Sequence, residues 1–259
     1  MSVILYEHPL SPYAQKVKIA LLEKGVPFEP RLPDFFGGDA TFAAASPRLE
    51  VPTLLDGDTA VFDSTIILEY VEDRWPEPSL LPRGAAARAR VRMIEELCDT
   101  YYEAINWAVY EIRVFERATG ELAARLLARA AEQVRGANTW LERQLAGRPW
   151  LNGEAFGWGD LAALPAVHAA ALGGNPPPPG SALAGWLERV RARPSVAQVL
   201  AAAAESMAGF EMLPQLVASG QFKREYRDHR LEWMLRSGGT EIVLEGMRRG
   251  TIRFSQELG

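Results

Sequence analysis

The chain of 259 residues has one cysteine, Cys98, and only three histidines, His8, His168 and His229. A lone cysteine excludes a disulfide framework and a cysteine-rich zinc site. The histidines are scattered without ligand spacing, so no metal site is expected. No run of 18 apolar residues free of charge occurs, which excludes an ordinary membrane-spanning helix. A basic surplus is missing as well. The net charge is −5 and the isoelectric point is near 5.4, which argues against broad affinity for nucleic acid. The opening residues, MSVILYEHPLSPYAQ, do not pair a basic segment with an apolar one, so they do not read as an export signal. A cytoplasmic protein is expected. What is present is ordinary globular usage, 48% hydrophobic and 24% charged, with length for one or two domains of about 100–200 residues each.

Up to about residue 75, short apolar runs alternate with helical patterns. Val3 to Tyr6 reads as a buried strand. Tyr13 to Lys24 reads as a helix, with Val17, Ala20 and Leu21 at helical spacing and Gly25 closing it. Phe28 to Leu32 reads as a second strand and Asp39 to Ala45 as a short helix. Val51 to Leu55 and Ala60 to Phe62 bracket Asp56-Gly57-Asp58, a hairpin signal because Asp-Gly tolerates positive φ. Ser64 to Asp73 completes a β-α-β-α-β-β-α order. WPEPSLLPR, from Trp75 to Arg83, reads as a linker. The rest reads as helices: Ala85 to Glu116, Glu121 to Leu145, Gly157 to Leu172, Ser181 to Arg193 and Ser195 to Met207. The expected domains are 1–75, a linker 76–83, a helical domain 84–208 and a C-terminal extension 209–259.

Chemistry concentrates where strands hand over to helices. Ser11 is a good N-cap and Pro12 suits the first helical position. A thiolate beside Ser11 would gain a hydroxyl hydrogen bond and the field of the helix N-terminus. Lowering a thiol pKa from about 8.5 by one to two units needs roughly 1.4–2.7 kcal/mol, within reach of those two effects together. Ser11 is equally suited to capping a helix and nothing more. Val51-Pro52 enters the hairpin, and proline at a strand start marks an edge position or a cis bond. Phe62-Asp63-Ser64-Thr65 is a second strand-to-helix junction. There Ser64 suits the cap, the helix N-terminus suits a small carboxylate, and Asp63 suits an ammonium group.

In this order, and on this topology, the segments LYEHPLSPYAQKVKIALLEKGVPFE, SPRLEVPTLLDGDTAVFDSTIILEYVEDRWP and WLNGEAFGWGDLAALP resemble the glutathione transferase superfamily. The resemblance spans about residues 3–208. It implies a thioredoxin-like α/β N-terminal domain followed by an all-α helical C-terminal domain. SPYAQKV is most similar to the serine-type tau and phi classes. Its SPYAQ spelling is also similar to the omega class, except that Ser11 stands where omega enzymes have cysteine.

The resemblance implies glutathione as co-substrate, a small apolar electrophile as acceptor, and a homodimer. It assigns Ser11 to the thiolate, the Val51 backbone to pairing with the tripeptide beside a cis Pro52, and Asp63 and Ser64 to the γ-glutamyl end. Asp63 replaces the glutamate usual there, with a reach one methylene shorter. Glu50 is the larger departure, because lysine or glutamine is usual just before Val-Pro, near the glycine end. A carboxylate facing that end is worth about 1 kcal/mol of repulsion, or fivefold in affinity, with Arg48 the nearest cation. Asp160, in the Phe156 to Leu161 segment, fits the family's capping motif and a folding role, Gly157 replacing the serine N-cap.

On the first long helix, an aromatic stripe at helical spacing fits a bundle core. The resemblance implies that some of it, Tyr102, Asn106 and Tyr110, shapes an acceptor pocket. Tyr6 reads as packing and Cys98 as a buried structural thiol. The extension reads as a solvated helix with Leu231, Met234 and Leu235 turned inward, packed on the core or draped over the cleft. Nucleic-acid contact through Arg224, Arg227, Arg230, Arg248 and Arg249 is disfavoured. Two functions follow from the resemblance: thiolate transfer to the electrophile, or a non-catalytic binding or regulatory protein of the same fold. Intact Ser11, Pro52, Asp63 and Ser64 favour the first, and Glu50 the second.

Overall fold

A computed structural model describes residues 3–34, 38–207, 210–226 and 228–254. The apolar run Val3–Tyr6 is strand β1, flanked on both sides: it pairs parallel with β2 (Phe28–Arg31) and antiparallel with β3 (Thr53–Asp56). A hairpin through Gly57, at φ +61°, joins β3 to β4 (Thr59–Phe62). The sheet order is β2-β1-β3-β4. Helix α1 (Pro12–Glu23) lies on this sheet and buries Val17, Ala20 and Leu21 completely. Gly25, at φ +64°, ends it with an N–H to the Leu22 carbonyl, a conformation that favours glycine. Asp39 caps α2 (Ala40–Ala45), and α3 (Ser64–Arg74) packs beside α1.

The chain then becomes helical. α4 (Ala85–Glu96) runs into a π-helical turn, Leu97–Tyr102, and on into α5 (Glu103–Arg113). The N–H of Glu103 reaches back five residues to the Cys98 carbonyl. Such insertions re-aim side chains within a helix and recur at functional sites. α6 (Gly120–Leu145), α7 (Trp158–Leu172), α8 (Ala182–Arg191) and α9 (Pro194–Ser206) complete the bundle. This is a thioredoxin-like α/β layer followed by an all-α bundle. One apolar cluster runs from Val3 and Leu54 through Trp158 and Trp186 to Trp233 and Val243, because α1 packs directly on α7 and α9.

Gly157 sits at a close approach. A Cβ there would lie 2.3 Å from the Leu80 carbonyl oxygen and 2.4 Å from the Asn152 amide, so a serine cap has no room. The Trp158 N–H donates to that same Leu80 oxygen at 2.8 Å. Asp160, fully buried, accepts from the N–H groups of Leu151, Asn152 and Gly157 and from the Trp186 indole. Burial lifts its carboxyl to about 6 against those four donors. Its role is to hold the loop, α7 and α8 together.

Beyond α9 lie α10 (Leu213–Ala218), β5 (Arg224–Tyr226), α11 (Asp228–Arg236), α12 (Thr240–Arg248) and β6 (Ile252–Phe254), with β5 and β6 parallel. This extension packs on α5 through α11. Arg230 donates to Glu103 and lies 5.3 Å over Trp107; Arg224 donates to Glu111 and lies 4.9 Å over the same ring. Met234 is buried and Leu231 packs on the core, as the sequence implies, but Leu235 is 45% exposed and turned outward. Trp233 takes the inward place expected of Leu235, its indole donating to Gln133 on α6. Ion pairing commits Arg224 and Arg230 to the fold; Arg227 lies outside the described residues.

Candidate active site

Ser11 sits where the β1–α1 loop turns into α1. Its Oγ accepts from the Ala14 N–H at 3.2 Å, which fixes the hydroxyl at the helix N-terminus. That contact uses a lone pair and leaves the O–H hydrogen to donate. The loop before it is pinned: the Leu10 N–H donates to His8 Nδ1, and the Gln15 amide to the Pro9 carbonyl at 2.7 Å. Burial holds His8 below the ordinary histidine range, so its ring is neutral and accepts.

Across the sheet, the Val51–Pro52 peptide is cis. The pairing of Tyr6 with Thr53, and of Thr53 with Phe62, sets Val51 between the Ser11 loop and the start of α3. Among the described residues, the Val51 N–H and carbonyl make no backbone hydrogen bond, so an extended peptide can pair with them. Glu50 pairs with Arg48 at 3.1 Å, and Ser46 brackets its backbone through both N–H and carbonyl.

At α3 the cap differs from the expectation. Asp63, at φ +71°, is the N-cap, and one of its oxygens accepts from both Thr65 and Ile66 N–H groups; Ser64 is the first helical residue. Aspartate is the stronger acceptor for two N–H groups, and this frees the Ser64 hydroxyl. Among the described residues that hydroxyl makes no hydrogen bond, and neither does the second Asp63 oxygen. An anion acceptor and a cation acceptor therefore stand side by side.

Two of the acceptor-pocket expectations need correction. Tyr102 is fully buried, and its O–H donates to Asn138 on α6 at 2.7 Å; burial raises its pKa. Asn106 is also buried and donates to the Ala166 carbonyl on α7 at 2.8 Å. Both point into the bundle, since their helix is flanked there by α6 and α7. Tyr110 is half-buried and Tyr101 exposed. Tyr6 packs on Phe42 with ring centroids 5.0 Å apart, and burial pushes the Cys98 thiol well up, both side chains lying in the core.

The sequence reading missed a buried polar network behind these loops. Lys16 on α1, 1% exposed, pairs with Glu95 and Asp99. Those carboxylates hold its ammonium above the usual lysine range despite burial. Burial foremost, and Glu95 beside it, lift the Asp99 carboxyl to about 6 against the pull of Lys16. Tyr13 donates its O–H to the Asp99 carbonyl at 2.9 Å. The available signal was a lysine within the apolar pattern of α1 and two acids four residues apart on the first long helix. Among the described residues, no cluster of histidine, cysteine or acidic side chains is arranged to hold a metal, and no helix is long and apolar enough to cross a membrane.

Comparison with known proteins agrees with this geometry. Residues 5–79 match the family model for the glutathione S-transferase N-terminal domain, and residues 124–189 that for the C-terminal domain. Glutathione S-transferase 3 of Zea mays is 30% identical over 210 residues, covering 76% of this chain and 93% of the maize protein. A stringent starvation protein A homolog of Coxiella burnetii is 38% identical over 90 residues, 35% of this chain and 43% of that protein. A rice glutathione S-transferase solved in complex with glutathione superposes with a TM-score of 0.69 at 26% identity, covering 83% of this chain and 96% of the rice chain. With the sheet, the bundle and both domain models in agreement, the chain belongs to the glutathione transferase superfamily.

Proposed function

We propose that this protein is a cytoplasmic glutathione transferase that delivers the glutathione thiolate to a small apolar electrophile. The observation that carries the reading is Ser11: a hydroxyl fixed by the Ala14 N–H with its own hydrogen unspent, at the N-terminus of α1. In this reading Ser11 donates to the thiolate and holds it deprotonated near neutral pH, while Val51 pairs with the tripeptide backbone. The Ser64 hydroxyl and the α3 N-terminus take the γ-glutamyl carboxylate, and the outer oxygen of Asp63 takes the ammonium group. Glu50 stands at the glycine end with Arg48 against it, which softens the repulsion. Of the three residues expected at the acceptor, Tyr110, half-buried on α5, is the one left to border it. Domains at 1–75 and 84–208, joined by 76–83 and extended by 209–259, suit this division of labour.

A homodimer fits the surface. Phe62 on β4, Ile66 on α3 and Met93 on α4 are exposed at 44%, 56% and 55%, on elements that adjoin one another: α3 packs on β4, and Arg92 of α4 bonds Glu69 of α3. The second reading, a non-catalytic binding or regulatory protein of the same fold, draws on Glu50 and on the likeness to the stringent starvation protein A homolog. Retention on immobilised glutathione, followed by chlorodinitrobenzene conjugation by wild type and Ser11→Ala, separates the two. Retention with turnover that Ser11→Ala abolishes supports the enzyme; binding without turnover supports the second reading.

A further inference from the structure

The two ends of the thiol site belong to different helices, and neither helix sets the distance between them alone. Glu95, on α4 of the helical bundle, touches both. Its Oε1 accepts from Lys16 Nζ on α1 at 2.5 Å and from Thr65 Oγ1 on α3 at 2.9 Å. Its Oε2 accepts from the Trp158 indole N–H on α7 at 2.6 Å, and the side chain is 3% exposed. Lys16 lies five residues after Ser11, and Thr65 directly follows Ser64. A second tie, from Tyr13 to the Asp99 carbonyl, holds the first turn of α1 to the same helical segment. The four donors, Lys16, Thr65, Trp158 and Tyr13, all lie on helices, and displacements of about 1 Å at a reacting group cost up to 100-fold in rate.

We propose that Glu95 is a positioning residue for the thiol site: from the helical bundle it fixes, through Lys16 and Thr65, the spacing at which one thiol peptide reaches Ser11 and Ser64 together. The proposal rests on the glutathione reading above. It makes the bundle part of the glutathione site as well as a wall for the acceptor. The α7 arm to Trp158 anchors Glu95 itself and does not lead to the ligand, so the arms are separable.

The test is calorimetry with glutathione on the full chain, beside thermal unfolding. Thr65→Val keeps the side-chain shape and removes the hydroxyl; Thr65→Ser keeps the hydroxyl and removes the methyl. Expected are a loss of at least fivefold in affinity for Thr65→Val, restoration to within twofold for Thr65→Ser, and a comparable loss for Glu95→Gln. The Thr65→Val/Glu95→Gln double variant is expected to be no worse than the weaker single, since both cut one path. Trp158→Phe loosens the anchor of Glu95 and should lower the melting temperature together with affinity, the affinity loss being smaller than that of Thr65→Val. Wild-type affinity in Thr65→Val, equal losses in the serine and valine variants, or an unaffected Glu95→Gln overturns the positioning role while the function stands. A wild-type chain that does not bind glutathione overturns both.

Discussion

Asp160 joins the loop before α7 to α7 and α8. The carboxylate is fully buried and gathers four donors: Leu151 N–H at 2.7 Å, Trp186 Nε1 at 2.8 Å, Gly157 N–H at 3.1 Å and Asn152 N–H at 3.2 Å. Asp160→Ala strands all four inside the bundle. Each stranded donor costs about 1–3 kcal/mol, and water entering the vacated space recovers some of them, so a total near 3–5 kcal/mol is expected. For a chain of this size that lowers the melting temperature by roughly 10 °C. Trp186→Phe removes a single donor and leaves the carboxylate three, so about 1 kcal/mol is expected. Urea unfolding of both variants and of the double variant measures the coupling. Glutathione affinity of Asp160→Ala, measured where it remains folded, should equal that of wild type. A cost below about 1.5 kcal/mol, or a fall in affinity of the folded variant, refutes the folding role.

Three further outcomes are expected. Glu50→Lys removes about 1 kcal/mol of repulsion toward the glycine end of glutathione and puts an attraction in its place, so calorimetry should show binding tighter by at least about fivefold; unchanged affinity contradicts the placement of Glu50. His168 accepts from Arg191 Nε at 3.0 Å, and burial with the Arg191 charge lowers its pKa to about 4. Its folded pKa lies below the unfolded value, so the unfolded chain binds the extra proton. Stability is therefore whole above about pH 6.5 and is lost on acidification towards 4, by about 1–2 kcal/mol after solvent screening. His168→Gln should flatten that slope in urea titrations run at several pH values, and an unchanged slope assigns it elsewhere. Deleting residues 222–259 uncovers Trp107 on α5 and removes the Arg224 and Arg230 ion pairs. The truncated chain should melt earlier or turn over differently, and identity with the full chain in both refutes a structural role for the extension.

Local rules carried the sheet layer because each boundary there has its own chemistry. Ser11 and Pro12 start α1, Gly25 ends it, and Asp56-Gly57 turns the hairpin, each within a few residues of sequence. The cap of α3 went to Asp63 because its positive φ and its two N–H partners depend on where β4 ends, which spacing does not state. Tyr102 and Asn106 show the limit of helical periodicity: a stripe identifies a face, while which neighbour covers it is decided by α6 and α7 far along the chain. The π-helical turn at Leu97–Tyr102 also shifts that face relative to a regular helix. Leu235 and Trp233 exchanged places for a similar reason, since the larger indole finds a partner in Gln133. The Lys16–Glu95–Thr65 network links residues up to 79 positions apart, so only the fold brings it together.

Ser11, in the proposed function, holds a ligand's thiolate. The direct measurement is the pKa of the thiol of bound glutathione, read from thiolate ultraviolet absorbance against pH in wild type and Ser11→Ala. The expected wild-type value lies one to two units below the free thiol value of about 8.5, returning towards it in Ser11→Ala. A bound thiol that titrates as it does free in solution, or one equally acidic in both proteins, contradicts it.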